Sequence, residues 1–204
     1  MGLTDRLSSL LSFPAGFRLF ARAVRGDAWP AYLSEYVKPE AGQRVLDLGC
    51  GTADVLEHLP RVDYTGLDVS PEYIEAAKQR YGDRGRFLCG DVGLVTLEKE
   101  HGTYDLVLAT GVVHHLDDAQ AARLFELARA ALRPQRRLVT LDGCYAPGQS
   151  KIARWLLQRD RGKFVRTRAE YERLAAASFS SVQADLRHDL LRIPYTHLIM
   201  RCSN

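Results

Sequence analysis

An apolar run closed by glycines, Arg44-Val45-Leu46-Asp47-Leu48-Gly49-Cys50-Gly51, constrains this chain more than any other segment. Large aliphatic residues without polar alternation belong in a strand buried on both faces, and such strands sit in parallel sheets covered by helices. Glycine straight after the strand lets backbone N–H groups come close to a ligand. Strand and turn together therefore mark a ligand-binding strand end in an open α/β sheet. Downstream the same pattern repeats. It predicts a helix over 53–59, a strand over 64–68 and a helix over 71–81, with Ser70 as N-cap, Pro71 in the first turn and Gly82 as the stop. Strands follow over 86–89 and 104–110, then a helix over 117–132 ahead of Pro134, then a strand over 137–141. Such strand–helix alternation specifies a mostly parallel sheet with helices on both faces.

Past residue 143 the alternation stops. Ala146-Pro147-Gly148 is a turn, 150–159 a short helix, and Thr167 with Glu170 forms the capping box of a helix running to 177. Two last strands are expected over 179–187 and 195–201. No low-complexity linker divides the chain, so 1–204 is expected to be one domain, with 1–40 a helical N-terminal lid and 144–166 a basic cap inserted over the sheet edge. The lid's first helix, over 3–24, is broken at Pro14, and its second starts at Asp27 with Pro30 in the first turn. A broken helix anchors poorly in a bilayer interface. No apolar run nears the ~20 residues of a membrane span.

Charge is distributed unevenly. Residues 1–144 hold 17 Lys and Arg against 20 Asp and Glu, a net of −3, whereas 145–204 hold 11 against 5, a net of +6. Cys50, Cys89, Cys144 and Cys202 make no CxxC pair and no zinc spacing, so the expectation is a cytoplasmic protein with reduced thiols and no metal. Cys50 and Cys89 lie in buried-strand contexts and are expected to pack as small hydrophobes.

The acids discriminate between two nucleotide-like ligands. Asp68 ends the second strand, 19 residues after Gly49, where a carboxylate meets ribose hydroxyls. A dinucleotide would rest its pyrophosphate on the N-terminus of the first helix. Asp54 stands there instead of the third glycine of a G-x-G-x-x-G turn, and its carboxylate repels phosphate. S-adenosylmethionine carries an ammonium, a sulfonium and no phosphate, so Asp47, Asp54, Asp68 and Asp91 near the strand ends suit it.

Val45-Leu46-Asp47-Leu48-Gly49-Cys50-Gly51-Thr52, Gly66-Leu67-Asp68-Val69-Ser70, Gly90-Asp91-Val92 and Tyr104-Asp105-Leu106-Val107 resemble, in order and spacing across 43–143, the successive motifs of class I S-adenosylmethionine-dependent methyltransferases. The resemblance implies a Rossmann-like α/β fold: a seven-stranded, mostly parallel sheet whose last strand is antiparallel. It implies that Gly49 and Gly51 line the methionine end, that Asp68 holds the ribose hydroxyls, and that Asp91 bonds the adenine amine with Val92 beside the ring. Asp47, Cys50, Val69 and Thr110 fall in or beside the same motifs and complete the expected cofactor-binding set. Where the family usually has glycine, this chain has Ala53.

Thr110-Gly111-Val112-Val113-His114-His115-Leu116 follows the fourth strand, where methyl and acceptor are expected to meet. Methyl transfer is an in-line displacement, so a base is needed only when the acceptor still carries a proton at attack. His114 and His115 are equal candidates for that base; the other role open to them is shaping the cofactor pocket. The cap carries Lys151, Arg154, Arg159, Arg161, Lys163, Arg166 and Arg168 against one acid, Asp160. Ile152, Trp155 and Leu156, at i, i+3 and i+4, give its helix an apolar stripe. Either the helix is a solvated basic surface with its stripe on the core, or the cap binds substrate. In the second case Arg161 and Arg166 take an anionic group, and Trp155, Phe164 and Tyr171 supply aromatic walls. The expected function is methyl transfer from S-adenosylmethionine to a small anionic metabolite. An RNA acceptor and a non-catalytic cofactor-binding regulator are the alternatives, and no nucleic-acid recognition module accompanies the charge.

Overall fold

Seven strands lie side by side in the order β3-β2-β1-β4-β5-β8-β7. They are β1 (Arg44–Leu48), β2 (Asp63–Asp68), β3 (Gly85–Cys89), β4 (Tyr104–Thr110), β5 (Leu132–Tyr145), β7 (Ser181–Arg187) and β8 (His197–Ser203), with a two-residue β6 (Arg166–Thr167) pairing the end of β5. β1 to β5 pair in parallel, while β8 runs antiparallel to both β5 and β7. The computed structural model describes residues 28–92, 94, 100–160 and 162–204. The first lid helix expected over 3–24, and Asp27, therefore lie outside the described residues. Among the described residues no helix is long and apolar enough to cross a membrane.

Helices cover both faces because the central strands alternate between two cores. Leu46, Leu48, Val107, Leu138 and Met200 face one layer, which contains Ala121, Leu124 and Phe125 of α3 (Asp118–Ala131) and Tyr171 and Ala175 of α5 (Arg168–Ala176). Val45, Leu106, Leu108, Val139 and Ile199 face the other, which contains Tyr32 of α1 (Ala28–Tyr32) and Ile74 and Ala77 of α2 (Pro71–Tyr81). The period-two alternation is hidden in the sequence because both sets are apolar.

Local signals set the helix ends. Ser70 Oγ accepts from Tyr73 N–H at 3.2 Å, and Asp117 caps α3 with Gln120 completing the box. Glu170 accepts from Thr167 N–H at 2.8 Å at the start of α5, and Ser150 caps α4 (Lys151–Gln158).

Three expectations are corrected. The helix over 53–59 is only a 3-10 turn, Asp54–Glu57, preceded by Ala53 in a left-handed conformation (φ 55°). β5 is fourteen residues long, not five: Leu132 already pairs with Tyr104 of β4 ahead of a register shift, β8 pairs with the strand as far as Gly143, and β6 pairs with Cys144 and Tyr145. Cys89, expected to be buried, is exposed at the C-terminal end of β3, and Cys50 is half-buried.

Candidate functional site

Because β1 to β4 are parallel and in close register, their C-terminal ends open on one edge, with the crossover in strand order falling between β1 and β4. Ligands of open α/β sheets bind at this switch point. The structure brings Gly49, Cys50, Gly51, Asp68, Val69, Asp91, Val92, Thr110 and the His114-His115 turn to this edge.

The glycine turn needs its glycine. Gly49 has φ +72°, and a Cβ there would meet Val112 Cγ2 at 2.3 Å, so only glycine lets the β1 turn close on the β4 turn. The space above Gly51 is open, with nothing within 4 Å of where a Cβ would project. Asp68 joins the turns: its Oδ2 accepts from Gly51 N–H at 2.8 Å and its Oδ1 from Ser70 N–H at 2.9 Å. Each carboxylate oxygen keeps a second acceptor position, the number a vicinal diol uses. Beside it the Val69 side chain is 66% exposed, while Val92 is buried and Asp91 half-buried. Asp47 lies deeper. Burial pushes its carboxyl up to about 7 against the short bond from Tyr64 Oη at 2.6 Å, and neighbouring Asp68 adds to the rise.

Asp54 is a correction to the charge argument. Arg80 pairs with it at 2.6 Å and Thr52 Oγ1 donates to it, so its charge is spent inside the fold rather than offered to a ligand. Asp47, Asp68 and Asp91 remain as the acids of the edge.

The histidines differ sharply. His114 is buried and held at both ring nitrogens, Nδ1 at 2.8 Å from Asp142 Oδ1 and Nε2 at 3.5 Å from Asp160 Oδ1. Burial works against a charged ring, but the two aspartates outweigh it and lift the imidazole to about 9. Asp160 is held well below the usual carboxylate range: burial would raise it, but His114, Tyr195 Oη at 2.6 Å and Gly162 N–H at 2.9 Å more than compensate. His115 is exposed, its ring centroid 4.2 Å from that of His114. His114, His115 and Asp160 bring ligand-type atoms within 4.8 Å of one another. Both ring nitrogens of His114 are engaged by carboxylates, which ties the ring into this hydrogen-bonded network.

The cap is bolted to this turn. Phe164 N–H donates to His114 O at 2.9 Å, and a Cβ on Gly162 would meet His114 Cδ2 at 2.0 Å. Arg166 is buried and uses all five N–H donors: Nε and Nη2 to Asp118, Nη1 to Val113 O and Phe164 O, and Nη2 again to Leu116 O. A fully subscribed guanidinium has no donor left for a substrate anion. Tyr171 is fully buried and donates to Gly143 O at 2.9 Å, so it walls no open site. Arg161 lies outside the described residues. Trp155 is half exposed, and Ile152 with it faces outward, while Ala153 and Leu157 face the core. The apolar stripe expected over Ile152, Trp155 and Leu156 is therefore rotated away from the core.

Sequence reasoning did not single out Tyr32, Asp142 or Tyr195. Tyr32 Oη lies 3.4 Å from Thr110 Oγ1. Asp142 was detectable as an acid directly after an apolar strand. The position of Asp160 as the one acid in a basic segment was a signal too, since a lone opposite charge is usually paired.

Residues 45–135 match the methyltransferase domain family. An O-methyltransferase of Pyrenophora dematioidea is 32% identical over 130 residues, covering 58% of this chain and 47% of that protein, so the chain spans less than half the length of this relative. A chain in the complex between the Haloferax volcanii Trm112 methyltransferase activator and a methyltransferase has a similar fold, with a TM-score of 0.75, 18% identity, and coverage of 95% of this chain and 97% of that one. Phosphoethanolamine N-methyltransferase 2 of Haemonchus contortus, solved with S-adenosyl-L-methionine, has a TM-score of 0.70 at 18% identity, covering 92% of this chain and 46% of that one.

Proposed function

We propose that the chain is a class I S-adenosylmethionine-dependent methyltransferase, with its residues 45–135 matching the methyltransferase domain family, and that it methylates an oxygen of a small anionic acceptor. The observation carrying this reading is the exposed His115 on the turn after β4, which closes on the glycine turn through Val112 and to which the basic cap is anchored.

The residues at the strand ends fit S-adenosylmethionine. Asp68 would hold the ribose hydroxyls with its remaining acceptor positions, Val69 and Val92 would flank the adenine, and Asp91 would take its amine. The open Gly51 turn and Asp47 would receive the methionine end, and a buried carboxyl with a raised pKa gains most from a neighbouring ammonium. When bound, the cofactor supplies an electrophilic methyl group on a sulfonium.

His115 takes the proton of a hydroxyl acceptor. His114 cannot, because a ring protonated up to about pH 9 is not a base at neutral pH. His114 instead fixes the turn that carries His115. The name of the Pyrenophora relative supports an oxygen acceptor. The +6 charge of residues 145–204, with exposed Lys163 and Phe164 beside His114, supports an anion.

Calorimetry with S-adenosylhomocysteine, together with mass spectrometry of transfer from methyl-labelled S-adenosylmethionine to a panel of hydroxylated carboxylic acids, tests this. Binding is expected, weakened on the order of tenfold or more by Asp68→Asn, and tighter as pH rises through about 7 because an ammonium favours ionised Asp47. His115→Ala is expected to lower kcat by roughly a hundredfold or more with product-analogue affinity unchanged. No binding would overturn the reading, and binding with no labelled product would favour the regulatory alternative.

A further inference from the structure

Helix α4 presents an unusual outward face. Trp155 stands at its centre with Ile152 one turn before it, and Lys151, Arg154 and the C-cap residue Arg159 surround that apolar pair; all five side chains are exposed. Ile152 is 59% and Trp155 50% exposed, on a helix whose inner side has Ala153 and Leu157 to spare for the core. The charges are equally unspent. Arginines elsewhere, such as Arg44, Arg80, Arg86 and Arg187, each pair with an acid. Among the described residues Lys151, Arg154 and Arg159 pair with none; Arg154 and Arg159 lie instead over the rings of Tyr145 and Trp155, at 5.4 and 4.0 Å. An apolar centre ringed by unpaired cations is the complement of an amphipathic helix with acidic flanks.

We propose that the outward face of α4 docks an acidic amphipathic helix of a partner protein. The chain's own N-terminus is a poor occupant, since 1–27 hold four arginines against two aspartates and like charges repel. Nucleic acid fits less well: Arg159 already covers one face of the Trp155 indole, and Ile152 offers a base nothing to stack on. A bilayer fits less well too, because two large apolar side chains on an eight-residue helix give little to insert. Docking here sets the partner beside the methyl-transfer edge, because Asp160, just beyond this helix, contacts His114.

The probe is a synthetic helical peptide with a Leu and Met stripe flanked by Glu and Asp, titrated into the full chain carrying Trp29→Phe so that Trp155 alone reports. A blue shift of indole emission is expected. The affinity is expected to fall on the order of tenfold or more in Arg154→Glu/Arg159→Glu and to weaken with salt. Calorimetry with S-adenosylhomocysteine, unchanged in that variant, shows that it folds. Absence of the shift, equal affinity in the charge-reversed variant, or equal binding of a scrambled peptide overturns the proposal. So does the same Arg154 and Arg159 dependence for poly(U) or for phosphatidylserine vesicles when the peptide does not bind. The measurement needs no turnover, so its failure leaves the methyl-transfer reading standing.

Discussion

His114 shows how one residue can look catalytic in sequence and be structural in space. Its ring is buried between Asp142 and Asp160, and the two bonds lift its pKa to about 9 from the roughly 6.5 of an unfolded histidine. With the folded value above the unfolded one, protonation favours the folded state. The contribution is complete below about pH 6.5 and is lost as pH rises through about 9, an effect on the order of 3 kcal/mol at most. Urea unfolding at pH 6 and at pH 9.5 should show this loss in the native protein. In His114→Gln the same titration should be flatter, and equal slopes in both would remove the network from the stability account. On the proposed reading proton transfer then falls to the exposed His115, a distinction that two adjacent identical letters cannot carry.

Among the elements, the cap is the one whose role changes most. Its arginines are not equivalent: Arg166 ties β6 to the start of α3 and to three backbone carbonyls of the histidine turn and cap, whereas Arg168 pairs with Glu172 on the surface. Truncating Arg166 leaves buried carbonyls without donors. Arg166→Ala is expected to cost on the order of 3 kcal/mol, roughly 6–12 °C in Tm. Arg168→Ala, which breaks an exposed i,i+4 pair, should cost about 0.5 kcal/mol or less. Thermal denaturation of the two variants side by side checks this, and equal shifts would contradict the assignment of Arg166 to the fold. Gly162 belongs to the same clamp, since any side chain there collides with the His114 ring.

At the scale of the whole molecule, the charge asymmetry sets an acidic front, residues 1–144, against a basic back, residues 145–204. The C-terminal strand ends carry Asp47, Asp68 and Asp91, and on the proposed reading the net positive charge of residues 145–204 faces the acceptor through the cap. Raising ionic strength should therefore raise KM for an anionic acceptor severalfold, with kcat little changed, because screening weakens long-range attraction to the cap. A KM independent of salt would point to a neutral acceptor. What the sequence determined by itself was the order of elements, the strand-end motifs and the helix caps. These rest on short-range chemistry: a glycine that lets a turn close, a serine that caps a helix, an apolar run that must be buried. Only the tertiary structure decided which histidine is buried, that Arg166 is spent internally, that Asp54 is neutralised by Arg80, and that Trp155 faces out. Each of these depends on a partner 26 or more residues away, or on the rotation of a helix about its axis, and neither is encoded in local spacing.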